Sequence, residues 1–186
     1  MRKHTPRHIP KYNVSYRPLT IGDITDQGDF ILQSGELFKH QHDYVYVMAL
    51  FDSIGKDTAD LQITCPDCGE KIKFVLNRNH ILVDEYEEKM FGNEIKICVR
   101  PYITGKEEIH ELIKFVVIDG DQILWDDCNE AEKEAVLDSI DYPVFKSINT
   151  ALEQPSIVAN IPVRCSCGYE QIVALRGLEA FLKVVG

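Results

Sequence analysis

The sequence predicts an α+β fold, with a β-rich core holding a zinc-ribbon-like pair of cysteine turns and helices at the flanks. Three observations predict it. Two short turns, Cys65-Pro66-Asp67-Cys68-Gly69 and Cys165-Ser166-Cys167-Gly168, each interrupt a pair of β-like runs. Those runs are residues 60–64 and 71–76 around the first turn, and 156–163 and 169–175 around the second. Elsewhere, helix-type patterns end in Gly or Pro and begin after Asp or Asn. The 186 residues are 45% hydrophobic, enough to bury a core and too apolar for a linker or tail.

Taken in order, residues 1–18 are basic and proline-punctuated, and read as an extended N-terminal arm before a single α+β domain over 19–186. Such a terminus is either disordered or folds onto a partner. Tyr12, Tyr16 and Arg17 are its partner-binding candidates, because Tyr and Arg are frequent interface anchors. Thr20–Asp23 opens a short helix. Residues 40–53 form a longer one, with Asp43 as N-cap and Gly55 as stop. His40 and His42 precede it and are read as surface histidines rather than metal ligands.

The first Cys turn and its hairpin follow, then a charged stretch, 84–89, read as a solvated turn. Residues 94–102 alternate apolar and polar, the pattern of a half-buried strand, with Cys98 facing inward as an inert thiol. Residues 107–118 lie between helix and strand, and the β-branched end at 115–118 favours strand there. Asp119-Gly120-Asp121-Gln122 is a turn. Asn129 or Asp127 caps a helix over 130–140, which Tyr142-Pro143 breaks. A second helix, 144–153, ends before Pro155. Leu178–Val185 is a short helix whose apolar face packs on the ribbon.

The four turn cysteines carry the chemistry. Thiolate pairs on two hairpin tips are the donor set of a tetrahedral Cys₄ zinc site, here Cys65, Cys68, Cys165 and Cys167. The second pair is CxC, and the gap between the pairs exceeds that of a compact ribbon. The competing readings are four reduced thiols without metal, or small buried residues that remain from a lost site. One zinc would be structural, because four thiolates leave no coordination position open to water. It would tie residue 65 to residue 165. A disulfide framework is disfavoured: Cys98 and Cys128 belong to no motif, and Met1–His8 leads into no apolar signal region. Reduced thiols with no such signal imply a cytoplasm as the folding compartment.

Several function classes are disfavoured. The formal net charge of −10 repels phosphate backbones, so no nucleic-acid partner is expected. No run of eighteen apolar residues occurs, so no membrane-spanning helix is expected. There is no GxSxG, P-loop or HExxH motif. Glu107 and His110 share a helix face, but no third group completes a catalytic set. Asp119, Asp121, Asp126 and Asp127 lack the spacing of a calcium loop. A non-enzymatic binding protein is the reading that remains.

The order of these pieces resembles the T-even-type bacteriophage baseplate hub assembly proteins. The residues that carry the likeness are Tyr16-Arg17-Pro18-Leu19, the helix from Asp43 with Ser53-Ile54-Gly55 after it, and the turn Cys65–Gly69. Ile95–Thr104, the turn Cys165–Gly168 and Leu175-x-Gly177-x-x-x-Phe181 continue it. The resemblance implies an assembly factor or minor structural part of a contractile tail's baseplate hub. It implies hub or spike proteins as partners, zinc on the four cysteines, and partner contact at Arg17-Pro18. The site of action would be the host cytoplasm during assembly, with the protein then released or retained in the virion tail. A cellular zinc-ribbon adaptor, in transcription or protein quality control, is the other reading. A basic face around the Cys turns would favour it; here Arg164, Lys71 and Lys73 are offset by Asp67, Glu70 and Glu170.

Overall fold

The computed structural model describes residues 5–26, 30–106 and 108–185. It has six α-helices and four small sheets among these residues, the predicted α+β class. The chain divides into two compact units, residues 1–84 with 156–186, and residues 85–155 between them. The sequence drew one body over 19–186; periodicity marks elements, and says little about which elements pack together.

The first unit begins with strands β1 (Arg7–Ile9), β2 (Val14–Tyr16) and β3 (Ile31–Gln33), paired antiparallel in that order. Residues 7–16 are therefore a hairpin where the sequence suggested an extended arm. The reason is burial: Val14 and Tyr16 sit in the core, and strand pairing satisfies the backbone they carry inward. Helix α1 (Ile21–Asp26) lies between β2 and β3. Helix α2 (Lys39–Ile54) is the centre of the unit. Val45, Val47, Met48, Ala49, Leu50 and Phe51 are all buried, so most of its circumference is covered. Phe38, not Asp43, stands at its N-cap, and Gln41 reaches back to the Phe38 N–H at 3.1 Å. Asp43 lies inside the first turns, where burial raises its pKa to about 6.

Strands β4 (Thr58–Thr64) and β5 (Lys71–Asn77) form the first cysteine hairpin, and β6 (Leu82–Val83) follows. Strands β11 (Ile157–Arg164) and β12 (Glu170–Arg176) form the second, with β6 on the far side of β11. Pro162 in β11 has no N–H to give, and β6 pairs only at Ile157 and Val158, so that side of Pro162 needs no donor. Helix α6 (Leu178–Val185) packs Phe181 and Val185 into the same core as α2.

The second unit holds a four-stranded antiparallel sheet in the order β10-β9-β8-β7. Its strands are β7 (Met90–Phe91), β8 (Lys96–Val99), β9 (Ile113–Ile118) and β10 (Asp121–Leu124). Cys98 is buried on β8, as predicted. The ambiguous 107–118 segment is both things: helix α3 (Ile109–Leu112) runs straight into β9. Helix α4 (Glu130–Asp138) starts with Asn129 as N-cap, and Asn129 and Glu132 exchange capping bonds. Helix α5 (Tyr142–Glu153) begins with Asp141 as its cap and Pro143 in the first turn, so the proline starts this helix.

Two buried carboxylates organise the entry to the first unit. Asp23 accepts both Arg17 nitrogens, at 2.6 and 2.9 Å, and the N–H and hydroxyl of Thr20, at 2.6 and 2.7 Å. The Arg17 guanidinium holds its carboxyl far below the ordinary carboxylate range, against the opposing effect of burial. Asp52, in α2, accepts from the Tyr16 hydroxyl at 2.8 Å and from Arg78 at 2.7 Å. Breaking a buried pair from one side costs ~3–5 kcal/mol; with Arg17 25% exposed, Asp23→Asn is expected to cost about 2–3 kcal/mol at pH 7. The folded pKa of Asp23 is depressed, so its contribution is fully present above the unfolded value of 3.8 and fades as pH falls below it. Urea unfolding of both proteins should therefore show a gap at pH 7 that narrows below about pH 4. A gap that stays constant with pH would contradict the assignment.

Candidate metal centre

Each cysteine turn is built by the same pair of backbone bonds. In the first, the Cys65 N–H donates to the Glu70 carbonyl at 2.8 Å and the Gly69 N–H returns to the Cys65 carbonyl at 2.9 Å. In the second, the Cys165 N–H donates to the Tyr169 carbonyl at 2.8 Å and the Gly168 N–H returns to the Cys165 carbonyl at 3.0 Å. CxC thus closes the same turn as CxxC with one residue fewer. Gly69 and Gly168 both have positive φ, 76° and 97°, a conformation that costs glycine little.

Both tips deliver their thiols to one place. The four Sγ atoms of Cys65, Cys68, Cys165 and Cys167 lie within 4.8 Å of one another. Across the two turns, Cys65 to Cys167 is 3.7 Å and Cys68 to Cys165 is 3.5 Å. A tetrahedron with Zn–S bonds of ~2.3 Å has edges of ~3.8 Å, so the four sulfurs fit a thiolate-bound ion without large movement. Cys65 and Cys165 are buried, whereas Cys68 and Cys167 face outward. Ser166 adds a bridge between the tips, donating its hydroxyl to Glu70 at 2.7 Å. Sequence reasoning missed this bridge, because neither residue type marks a position by itself.

The backbone also favours sulfur as an anion. The N–H groups of Glu70, Cys167 and Tyr169 point at Cys68, Cys165 and Cys167 respectively. At Cys165 the Cys167 N–H outweighs burial and brings the thiol to about 7. At Cys68 the Glu70 N–H pulls down, but thiol hydrogen bonds from Cys165 and its neighbours push the value to about 12. The two thiols are shifted in opposite directions, as expected of sulfurs that share protons at close range. A soft cation is the group that would relieve all four at once.

The family model for the T4 bacteriophage base plate protein matches residues 1–183. The chain belongs to this baseplate protein family. No curated protein and no solved structure matches it. Membership makes it a phage baseplate protein, whose place is with the tail and whose contacts are with other baseplate proteins.

None of the remaining predicted residues of this baseplate protein belongs to the thiol cluster. Tyr16 is buried, with its hydroxyl on Asp52; burial, then Asp52, raises its pKa to about 12. Tyr12 is half-buried and packs edge-on against Tyr44, ring centroids 5.9 Å apart. Arg17 and Pro18 are half-buried, Arg17 engaged with Asp23. His40, expected on the surface, is buried and stacked on Phe38, and burial lowers its pKa. His110 pairs with Glu108 at 3.2 Å, while Glu107 lies outside the described residues. Ser53 accepts the Leu19 N–H at 2.6 Å, so Arg-Pro-Leu and Ser-x-Gly are two halves of one contact. Asp23, Asp52 and Arg78 were not singled out from sequence, since lone charged residues carry no periodic signal.

Titration of the reduced chain with cobalt(II) should saturate at one equivalent, with the visible bands of a tetrahedral thiolate site. Cys68→Ser should weaken binding by about tenfold or more while leaving the fold, because Cys68 is exposed and supplies one of four bonds. Equal titration of both proteins would exclude Cys68 as a ligand.

Proposed function

We propose that this baseplate protein is a non-enzymatic assembly factor or minor structural component of the baseplate hub, held in shape by one structural zinc. The observation that carries the proposal is the match to a baseplate family along residues 1–183 in a chain whose four turn cysteines converge. Zinc is favoured over softer or harder ions because an all-thiolate tetrahedral set is its usual structural site. Its chemistry there would be to hold two hairpin tips together. Cys65, Cys68, Cys165 and Cys167 would be its ligands.

Hub or spike proteins are the proposed partners, met in the host cytoplasm during assembly, with the chain then released or kept in the tail. The non-enzymatic reading is supported by the thiol set itself, in which four donors leave no open coordination position. Contact with such a partner would run through Tyr12, Tyr16, Arg17 and Pro18. Tyr16 is buried, so it would support the surface from beneath, and Tyr12, Arg17 and Pro18 would form it. A hairpin that is already folded avoids the ordering cost that a flexible arm would carry.

Co-expression of the tagged chain with hub and spike proteins of its phage tests the partner claim. A complex that survives gel filtration with at least one of them is expected. Binding only to peripheral baseplate proteins would overturn the hub assignment. Elemental analysis of the purified chain should give about one zinc per chain, and a Cys65→Ser/Cys165→Ser protein should lose it together with solubility. A well-folded wild-type chain without zinc would overturn the metal claim.

A further inference from the structure

The charge of the chain is not shared between its two units. Residues 85–155 contain 17 acidic and 7 basic side chains, a formal charge of −10. The other unit contains 13 of each sign. The whole net charge of the protein therefore sits on the segment inserted between the two cysteine hairpins. A fold gains nothing from such self-repulsion, so a strongly acidic insert is more readily explained by what it attracts.

The same unit has an open groove of 420 Å³ lined by Glu108, Ile109, His110, Leu137, Ile140, Phe145 and Asn149. Along one face of α5, Leu152 and Ile148 are buried, but Phe145 one turn earlier is 44% exposed and Tyr142 is 75% exposed. On α4, Val136 is buried and Leu137 is 38% exposed. The apolar stripe of α5 thus runs off the end of the buried residues into solvent, and Phe145 of that stripe lines the groove. One exposed carboxylate, Glu108, is in the lining, and three more neighbour the lining residues along the chain: Glu134 one turn before Leu137, and Asp138 and Asp141 around the α4–α5 junction. Lys146 and His110 are the nearby cationic or titratable side chains, and His110 is engaged by Glu108 at 3.2 Å.

We propose that this groove docks a basic amphipathic helix of another baseplate protein, its apolar face on Leu137, Ile140 and Phe145 and its Lys or Arg flanks on the surrounding carboxylates. Apolar anchors in the cleft supply affinity, and the charged rim supplies approach rate and selection of sign. The occupant is assigned by complementarity: an acidic helix would meet like charge, and nucleic acid is repelled by the same field. A second copy of this chain presents an equally acidic unit and is disfavoured on the same ground. This proposal rests on the reading of the chain as a binder of other tail proteins, and supplies a second contact surface distinct from the N-terminal hairpin.

The test uses the full chain and a fluorescein-labelled helical peptide of leucine and lysine with all leucines on one face. Saturable binding is expected, weakening as salt rises. The same peptide with its order scrambled, and a leucine–glutamate version, should bind at least about tenfold less tightly. Phe145→Lys and Leu137→Lys should each reduce affinity by about tenfold or more, whereas Leu124→Lys, an exposed apolar site outside the groove, should not. Hydrogen exchange on the wild-type chain keeps the test independent of how the variants fold: protection must gather at 108–110 and 137–149. Equal binding of ordered and scrambled peptides, or protection elsewhere, would overturn the groove. Failure here with hub binding intact removes the groove alone. Loss of hub binding by the wild-type chain removes the wider reading and leaves the peptide result standing.

Discussion

The meeting of two hairpin tips is the constraint on which the first unit depends. Sγ atoms 102 and 97 positions apart in sequence come within 3.7 and 3.5 Å. Joining them closes a loop several times longer than that of a compact ribbon. Closure entropy grows slowly, at ~0.6 kcal/mol for each doubling of length, so the extra cost is only about 1.5 kcal/mol. Even that overstates it. The segment between is folded, and its two ends are pinned together by the Asp84 N–H donating to the Ser156 carbonyl at 2.9 Å. Arg176 adds an ion pair to Asp84. A whole acidic unit can therefore be inserted between the two turns at little cost to their closure.

The tips are held from behind by an apolar body. Phe51 of α2 and Phe181 of α6 are fully buried in one cluster with Cys65 and Cys165. Each such side chain contributes about 1.5–3 kcal/mol by burial alone. Two carboxylates of that unit are tied off. Asp23 is saturated by Arg17 and Thr20, and Asp52 by Tyr16 and Arg78. Buried charge without such partners would cost more than packing returns. The N-terminal hairpin is thus anchored to α2 by packing and by carboxylates at once, and it offers a fixed surface to a partner.

Much of this was legible in the sequence, and the pattern of what was missed has physical causes. Alternation located β4, β5, β11 and β12 to within a few residues, because each is covered on one face only. The Cys turns were legible because thiol pairs followed by glycine are uncommon without a shared purpose. The hairpin at 7–16 was misread as an arm, since three-residue strands are too short for a period to show. Asp43 looks like a cap from its residue type alone, but caps are set by where the chain enters the helix, at Phe38, five residues earlier. His40 was placed outside by its usual preference, and a Phe38 ring overrode that preference. The groove on the second unit had no sequence signature. Leu137 and Phe145 read as ordinary helix positions, and only the packing of α4 and α5 leaves them uncovered.

The most direct measurement is X-ray absorption at the zinc edge on the purified full chain. Four sulfur scatterers at about 2.3 Å, and no nitrogen or oxygen, are what a clasp made by Cys65, Cys68, Cys165 and Cys167 requires. A shell with only two sulfurs and added nitrogen or oxygen would mean that one turn does not reach the ion. The two hairpins would then be held by packing and the Ser166–Glu70 hydrogen bond, without the metal.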